Sequence, residues 1–187
     1  MRKLSLVFTI FLLLASVVVL FAQNSPKKII LLISEQNIES PRAAWWASEV
    51  DLSATEAAIA GKIIEAGYEV IEPSALEEAL KNNKAYRMVD LSEKDSAKLG
   101  NLSKADYVVL GKAVASAGGN VPQSTMRSCF ANVTAKLIRV KDSKVIAYVD
   151  ATGNSAHPDE ITGGKEALVN AADVLSAKII EELNKQQ

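Results

Sequence analysis

Cysteine and histidine are almost missing from this sequence: Cys129 and His157 are the only ones. One cysteine excludes an internal disulfide, so packing must hold the fold, and Cys129 is expected as a small buried hydrophobe. One cysteine and one histidine are too few for a zinc or iron centre. No Gly-x-Gly-x-x-Gly follows an apolar run. Neither Gly111-Lys112 nor Gly164-Lys165 has the upstream glycine or the following Ser/Thr of a phosphate loop. Basic residues number 21 against 22 acids, with no block of like charge, so nothing points to nucleic acid or to a disordered charged tail. No cofactor is expected.

What the chain does have begins at its N-terminus. Arg2 and Lys3 precede an apolar run of 18 residues, Leu4 to Phe21, followed by Ala22 and the polar Gln23-Asn24-Ser25. A basic start, an apolar stretch and a small residue at its end form an export signal, with cleavage after Ala22. The run also approaches the ~20 residues of a spanning helix, so an uncleaved anchor is the alternative, and the only route to a membrane. No cysteine stands where a lipoprotein would carry its lipid. Residues 1–22 are therefore read as a signal peptide and 23–187 as one domain, located in the periplasm.

The domain's periodicity predicts an α+β fold with a mixed sheet of about five strands. Residues 28–33 (KIILLI) form a continuous apolar run suited to a buried strand. Ser53-Ala54-Thr55-Glu56 is a capping box opening a helix that stops at Gly67, and residues 68–71 form a short strand. Ser74 and Ser92 begin two further short helices by the same logic. Residues 105–114 (ADYVVLGKAV) form the central strand, parallel to the first two because the intervening connections are long. Period-two alternation over 127–139 and 144–152, joined by Lys141-Asp142-Ser143, is an antiparallel hairpin. A long C-terminal helix presents Leu168, Ala172, Leu175, Ile179 and Leu183 along one stripe and covers the sheet.

This topology gathers three long connections, 34–52, 115–125 and 153–163, at one edge, where open α/β sheets bind their ligands. Loops of that length are commonly functional. The candidate partner-binding residues are Trp45 and Trp46 as anchors, with Asn120, Gln123 and His157 beside them. Chemistry has less support. The stretch 153–157 (GNSAH) would be a nucleophile elbow only if position 157 were glycine, and Asp150, Ser155, His157 and Asp159 form a triad by composition alone. Glu35, Glu39, Glu49 and Asp51 match no calcium loop in spacing. No catalytic, cofactor or metal residue is assigned.

The order of elements resembles a bacterial envelope family that includes the curli-secretion protein CsgG, the penicillin-binding-protein activator LpoB and the middle domain of flagellar assembly protein T. The matching pieces are a helix followed by Tyr68-Glu69-Val70-Ile71, then Ala105-Asp106-Tyr107-Val108-Val109-Leu110-Gly111. The hairpin strands around Val133-Thr134-Ala135-Lys136-Leu137-Ile138 and Val145-Ile146-Ala147 complete the match. The turn at Lys141-Asp142-Ser143 departs from the family's Thr-Gly. The resemblance implies a non-enzymatic accessory or assembly protein that binds an envelope protein, in flagellar or other envelope-machine assembly, or itself. An activator of a cell-wall synthase is the alternative, and a small hydrolase or ligand-binding protein using 153–163 is a third.

Overall fold

The computed structural model describes residues 26–38, 53–71 and 92–186. Trp45 and Trp46, the helix expected after Ser74 and the N-terminal apolar run lie outside the described residues. The described chain runs β1 (Lys28–Gln36), α1 (Ala54–Glu65), β2 (Glu69–Ile71), α2 (Glu93–Leu102), β3 (Tyr107–Asn120), β4 (Arg127–Arg139), β5 (Lys144–His157) and α3 (Glu160–Asn184). One five-stranded sheet has the order β2-β1-β3-β4-β5. β1 is parallel to both β2 and β3, whereas β3–β4 and β4–β5 are antiparallel. The mixed α+β sheet is the expected one, and β3 is the strand at which parallel pairing gives way to antiparallel. Among the described residues no helix is long and apolar enough to cross a membrane.

The pleat sends alternate residues to opposite faces. Odd-numbered positions of β1, β3 and β4, including Ile33, Val109, Val133 and Leu137, meet α1 and α3 in the main core. The expected stripe of α3 is all there: Leu168, Ala172, Leu175, Ile179 and Leu183 are buried. Each such large side chain contributes roughly 1.5–3 kcal/mol on burial. A smaller cluster on the opposite face, with Ile30, Leu32, Val108, Ile138 and Val140, lies under α2. Among the described residues, the α2 cluster covers one end of that face.

Two of the three expected long loops are instead strand. Pairing of β3 with β4 continues through Ala115↔Ala131, Ser116↔Phe130 and Ala117↔Cys129 to Asn120↔Arg127, with an irregularity between Ala117 and Asn120. The connection is thus 121–126 rather than 115–125. Small residues, Ala-Ser-Ala-Gly-Gly, look like loop composition but fill a strand here. β5 likewise continues past Thr152 to His157. Gly153 is not a loop glycine: a Cβ there would collide with the Ala167 carbonyl and the Ala171 amide of α3. It lets helix and strand backbones touch. α3 starts at Glu160 with Asp159 as N-cap, so Gly163 and Gly164 are buried inside the helix rather than in the loop before it.

A reciprocal clasp joins β1 to α1. β2 pairs with β1 only over Lys28–Ile30. Three residues further on, the Ile33 amide donates to Glu56 Oε1 at 2.9 Å, and the Thr55 amide donates to Glu35 Oε2 at 2.8 Å. The capping box itself is complete, with Ser53 Oγ accepting from the Glu56 amide at 3.2 Å and Glu56 Oε2 accepting from the Ser53 amide at 3.3 Å. Burial pushes the Glu56 carboxyl up to about 7, against the pull of these amides, and the charge of Glu35 adds to the rise.

A raised folded pKa means that the folded state holds the proton more tightly than the unfolded chain, whose value is 4.5. The stability that the bound proton contributes is fully present below pH 4.5 and is lost as pH rises through about 7. Glu56→Gln, which cannot ionise, should therefore gain on the wild type with pH, by on the order of 3 kcal/mol between pH 4.5 and 8. Urea unfolding at both pH values reads this. A stability difference that does not move with pH would contradict it.

Candidate functional site

β3, β4 and β5 outrun the parallel part of the sheet. Pairing of β1 with β3 ends at Gln36↔Val114, six residues before the end of β3 at Asn120. Among the described residues, the overhanging strands have one face packed on α3 and no element packed on the other. Even-numbered residues form cross-strand rows on the open face: Lys112–Thr134–Asp150, then Val114–Asn132–Thr152, then Ser116–Phe130–Asn154. Val114 and Phe130 are 45% and 49% exposed. Around them lies a concavity of about 400 Å³ lined by Val114, Ser116, Phe130, Asn132, Thr152 and Asn154. Gly118 makes room for the aromatic ring, since a Cβ there would stand 2.6 Å from Phe130 Cε2. At the α2 end, Lys136 Nζ donates to Glu93 Oε1 at 2.6 Å and stands 5.6 Å from the centre of the Tyr148 ring. That contact holds the exposed Glu93 carboxyl below its usual value.

The tip of the overhang collects three of the five residues singled out from sequence. Asn120, Arg127 and His157 are cross-strand neighbours in one row. Gln123 sits in the connecting turn with φ +56°. The turn is pinned by the Val121 amide on the Met126 carbonyl at 2.9 Å and the Met126 amide on Ser124 Oγ at 3.0 Å. Arg127 Nε lies 2.7 Å from Glu160 Oε1, an oxygen with no other partner. Met126 and Ile161 are 42% and 51% exposed at the same tip. Among the described residues the tip is therefore built of strand ends and one pinned turn. Trp45 and Trp46, the expected anchors, lie outside the described residues.

Sequence reasoning passed over Phe130, Val114, Met126 and Ile161. The signal was present for one of them. On β4 the outward parity reads Asn132, Thr134 and Lys136, and an aromatic at 130 breaks that polar series.

The groups considered for hydrolysis are occupied with structure. Ser155 Oγ donates to the Gly163 carbonyl at 2.6 Å, and His157 Nδ1 accepts the Asp159 amide at 3.0 Å. Asp159 accepts from the Thr162 amide and hydroxyl, both at 2.7 Å, which holds its carboxyl below the usual range. Cys129 is fully buried, and burial pushes its thiol up, with Glu160 adding to the rise. A nucleophile needs a base within hydrogen-bond reach, and Ser155 is turned to a carbonyl instead. Among the described residues no group of three His, Cys, Asp or Glu is placed to hold a metal ion.

No family model matches the chain, and no curated protein matches it in sequence. Solved structures do resemble it. Lipoprotein GNA1162 from Neisseria meningitidis is 17% identical, with 86% of this chain and 99% of that one covered, at a TM-score of 0.44. The LpoB C-terminal domain from Salmonella enterica is 10% identical, covering 69% and 83%, also at 0.44. A minor lipoprotein from Acinetobacter baumannii is 12% identical, covering 86% and 94%, at 0.43. These likenesses are at the level of fold and assign no role.

Ser155→Ala removes a hydrogen bond that fixes β5 to the first turns of α3. It should lower stability by about 1 kcal/mol in urea unfolding. Loss of an esterase or amidase activity of the purified protein, at unchanged stability, would instead restore the hydrolase reading.

Proposed function

We propose that this chain is a non-enzymatic accessory protein of the bacterial envelope that works by binding another protein through the tip of its β3–β5 overhang. The observation that carries the reading is the convergence of Met126, Ile161, Asn120, Gln123 and His157 on one end of the sheet. Exposed apolar side chains set among neutral polar ones form the usual centre of a protein interface. Arg127 and Glu160 at the tip lie 2.7 Å apart and offset each other's charge. An envelope location rests on the export-type N-terminal sequence. Flagellar or other envelope-machine assembly is the leading role, activation of a cell-wall synthase is the alternative, and self-association is a further mode of the same surface.

Affinity capture from envelope extracts, with the wild type and a Met126→Asp/Ile161→Asp double variant, tests this. The wild type should retain a specific envelope protein, and the double variant should lose it at least about tenfold, equivalent to ~1.4 kcal/mol, with the same thermal melt. Flagellar basal-body components would support the leading role and a penicillin-binding protein the alternative. Equal retention by the double variant would overturn the tip as the interface.

A further inference from the structure

The concavity around Phe130 is chemically unlike the tip. Its lining contains no charged side chain: Val114, Ser116, Phe130, Asn132, Thr152 and Asn154 surround it, and the first charged row, Lys112 and Asp150, lies one row toward α2. The Ser116, Asn132, Thr152 and Asn154 side chains are not used in holding the fold, since none makes a hydrogen bond among the described residues. The contact from α3 to Asn154 is to its backbone carbonyl, which accepts from Asn170 Nδ2 at 2.8 Å. Four neutral polar groups thus surround a half-exposed aromatic ring that lies over Gly118.

We infer that this concavity is a binding site for the sugar rings of a neutral glycan. A sugar ring offers an apolar C–H face and a rim of hydroxyls, each of which donates and accepts. The site offers an aromatic face with two hydroxyls and two carboxamides around it, and these too donate and accept. An anionic ligand would need a cation in the lining, and a cationic one a carboxylate; neither is there. A peptide strand would be read through a free sheet edge, because its amides and carbonyls pair with backbone, and this is a face. A face-to-face dimer through this surface is disfavoured by shape, because two concave faces brought together enclose an empty volume. About 400 Å³ falls within the range of small-ligand sites, roughly 300–1,000 Å³.

The glycan site and the protein-binding tip stand independently, and one set of titrations separates them. Cellotetraose, chitotetraose and maltotetraose are added to the purified full chain while the Asn132 and Asn154 side-chain NH₂ and Phe130 ring signals are followed by NMR. At least one glycan should shift all three signals saturably. Phe130→Ala and Asn132→Ala should each weaken binding about tenfold or more, and Met126→Asp/Ile161→Asp should leave it unchanged. Tetra-alanine should leave the signals in place. The proposal is overturned if none of the three glycans moves these signals up to about 10 mM, a range that covers affinities far weaker than 1 mM-scale binding. It is equally overturned if tetra-alanine shifts them as strongly, or if sedimentation shows that the signals report a dimer abolished by Phe130→Ala.

Discussion

The close approach of α3 to the sheet is the contact on which the rest of the structure depends. It is possible because Gly153 has no side chain where the Ala167 carbonyl and Ala171 amide pass, and because Ala167, Ala171 and Ala172 are small. Native cores tolerate little added volume, so small residues at the crossing decide how far the two backbones stand apart. With α3 seated on the odd-numbered face of β3, β4 and β5, the long strands are supported well past the end of β1. The helix reaches round the edge strand as well: Lys178 Nζ donates to the Asp150 carbonyl at 2.6 Å and Asn170 Nδ2 to the Asn154 carbonyl at 2.8 Å. Side chains thereby occupy carbonyls of an edge strand that could otherwise recruit another strand.

Support from one side frees the other. The pleat obliges every second residue of the overhang to face away from α3, and among the described residues α2 covers one end of that face. The face is graded along its length. It is apolar and buried at Ile30, Leu32, Val108 and Ile138, charged at Lys112 and Asp150, and neutral around Phe130. At the other pole of the sheet, β1 leaves its β2-side hydrogen bonds early, and the carboxylates of Glu35 and Glu56 take over where β2 stops. Both ends of the molecule therefore use side chains to finish what strand pairing leaves undone.

Much of this was legible from residues alone. The Ser53–Glu56 capping box, the alternation over 127–139 and the α3 stripe each express a periodicity or a local hydrogen bond, and such signals are carried within a few residues. The ends of β3 and β5 were not legible. Ala115 to Asn120 and Gly153 to His157 have the small and polar composition of loops, and only partners distant in sequence make them strands: Cys129 and Phe130 for β3, and α3 for Gly153. The gathering of Asn120 and His157 at one tip followed from topology and came through, although the tip is built of strand ends rather than loops. The open face around Phe130 is not legible in the sequence, because which residues of a parity are covered depends on where the helices pack.

β4 has one face built into a core and one face left exposed around Phe130. Leu137 is fully buried, and Phe130, on the opposite parity of the same strand, is half exposed. Urea unfolding of Leu137→Ala and Phe130→Ala tests that claim most directly. Leu137→Ala should lose about 2–5 kcal/mol and Phe130→Ala less than about 1 kcal/mol. Comparable losses at the two positions would mean that Phe130 belongs to a packed core, and would contradict it.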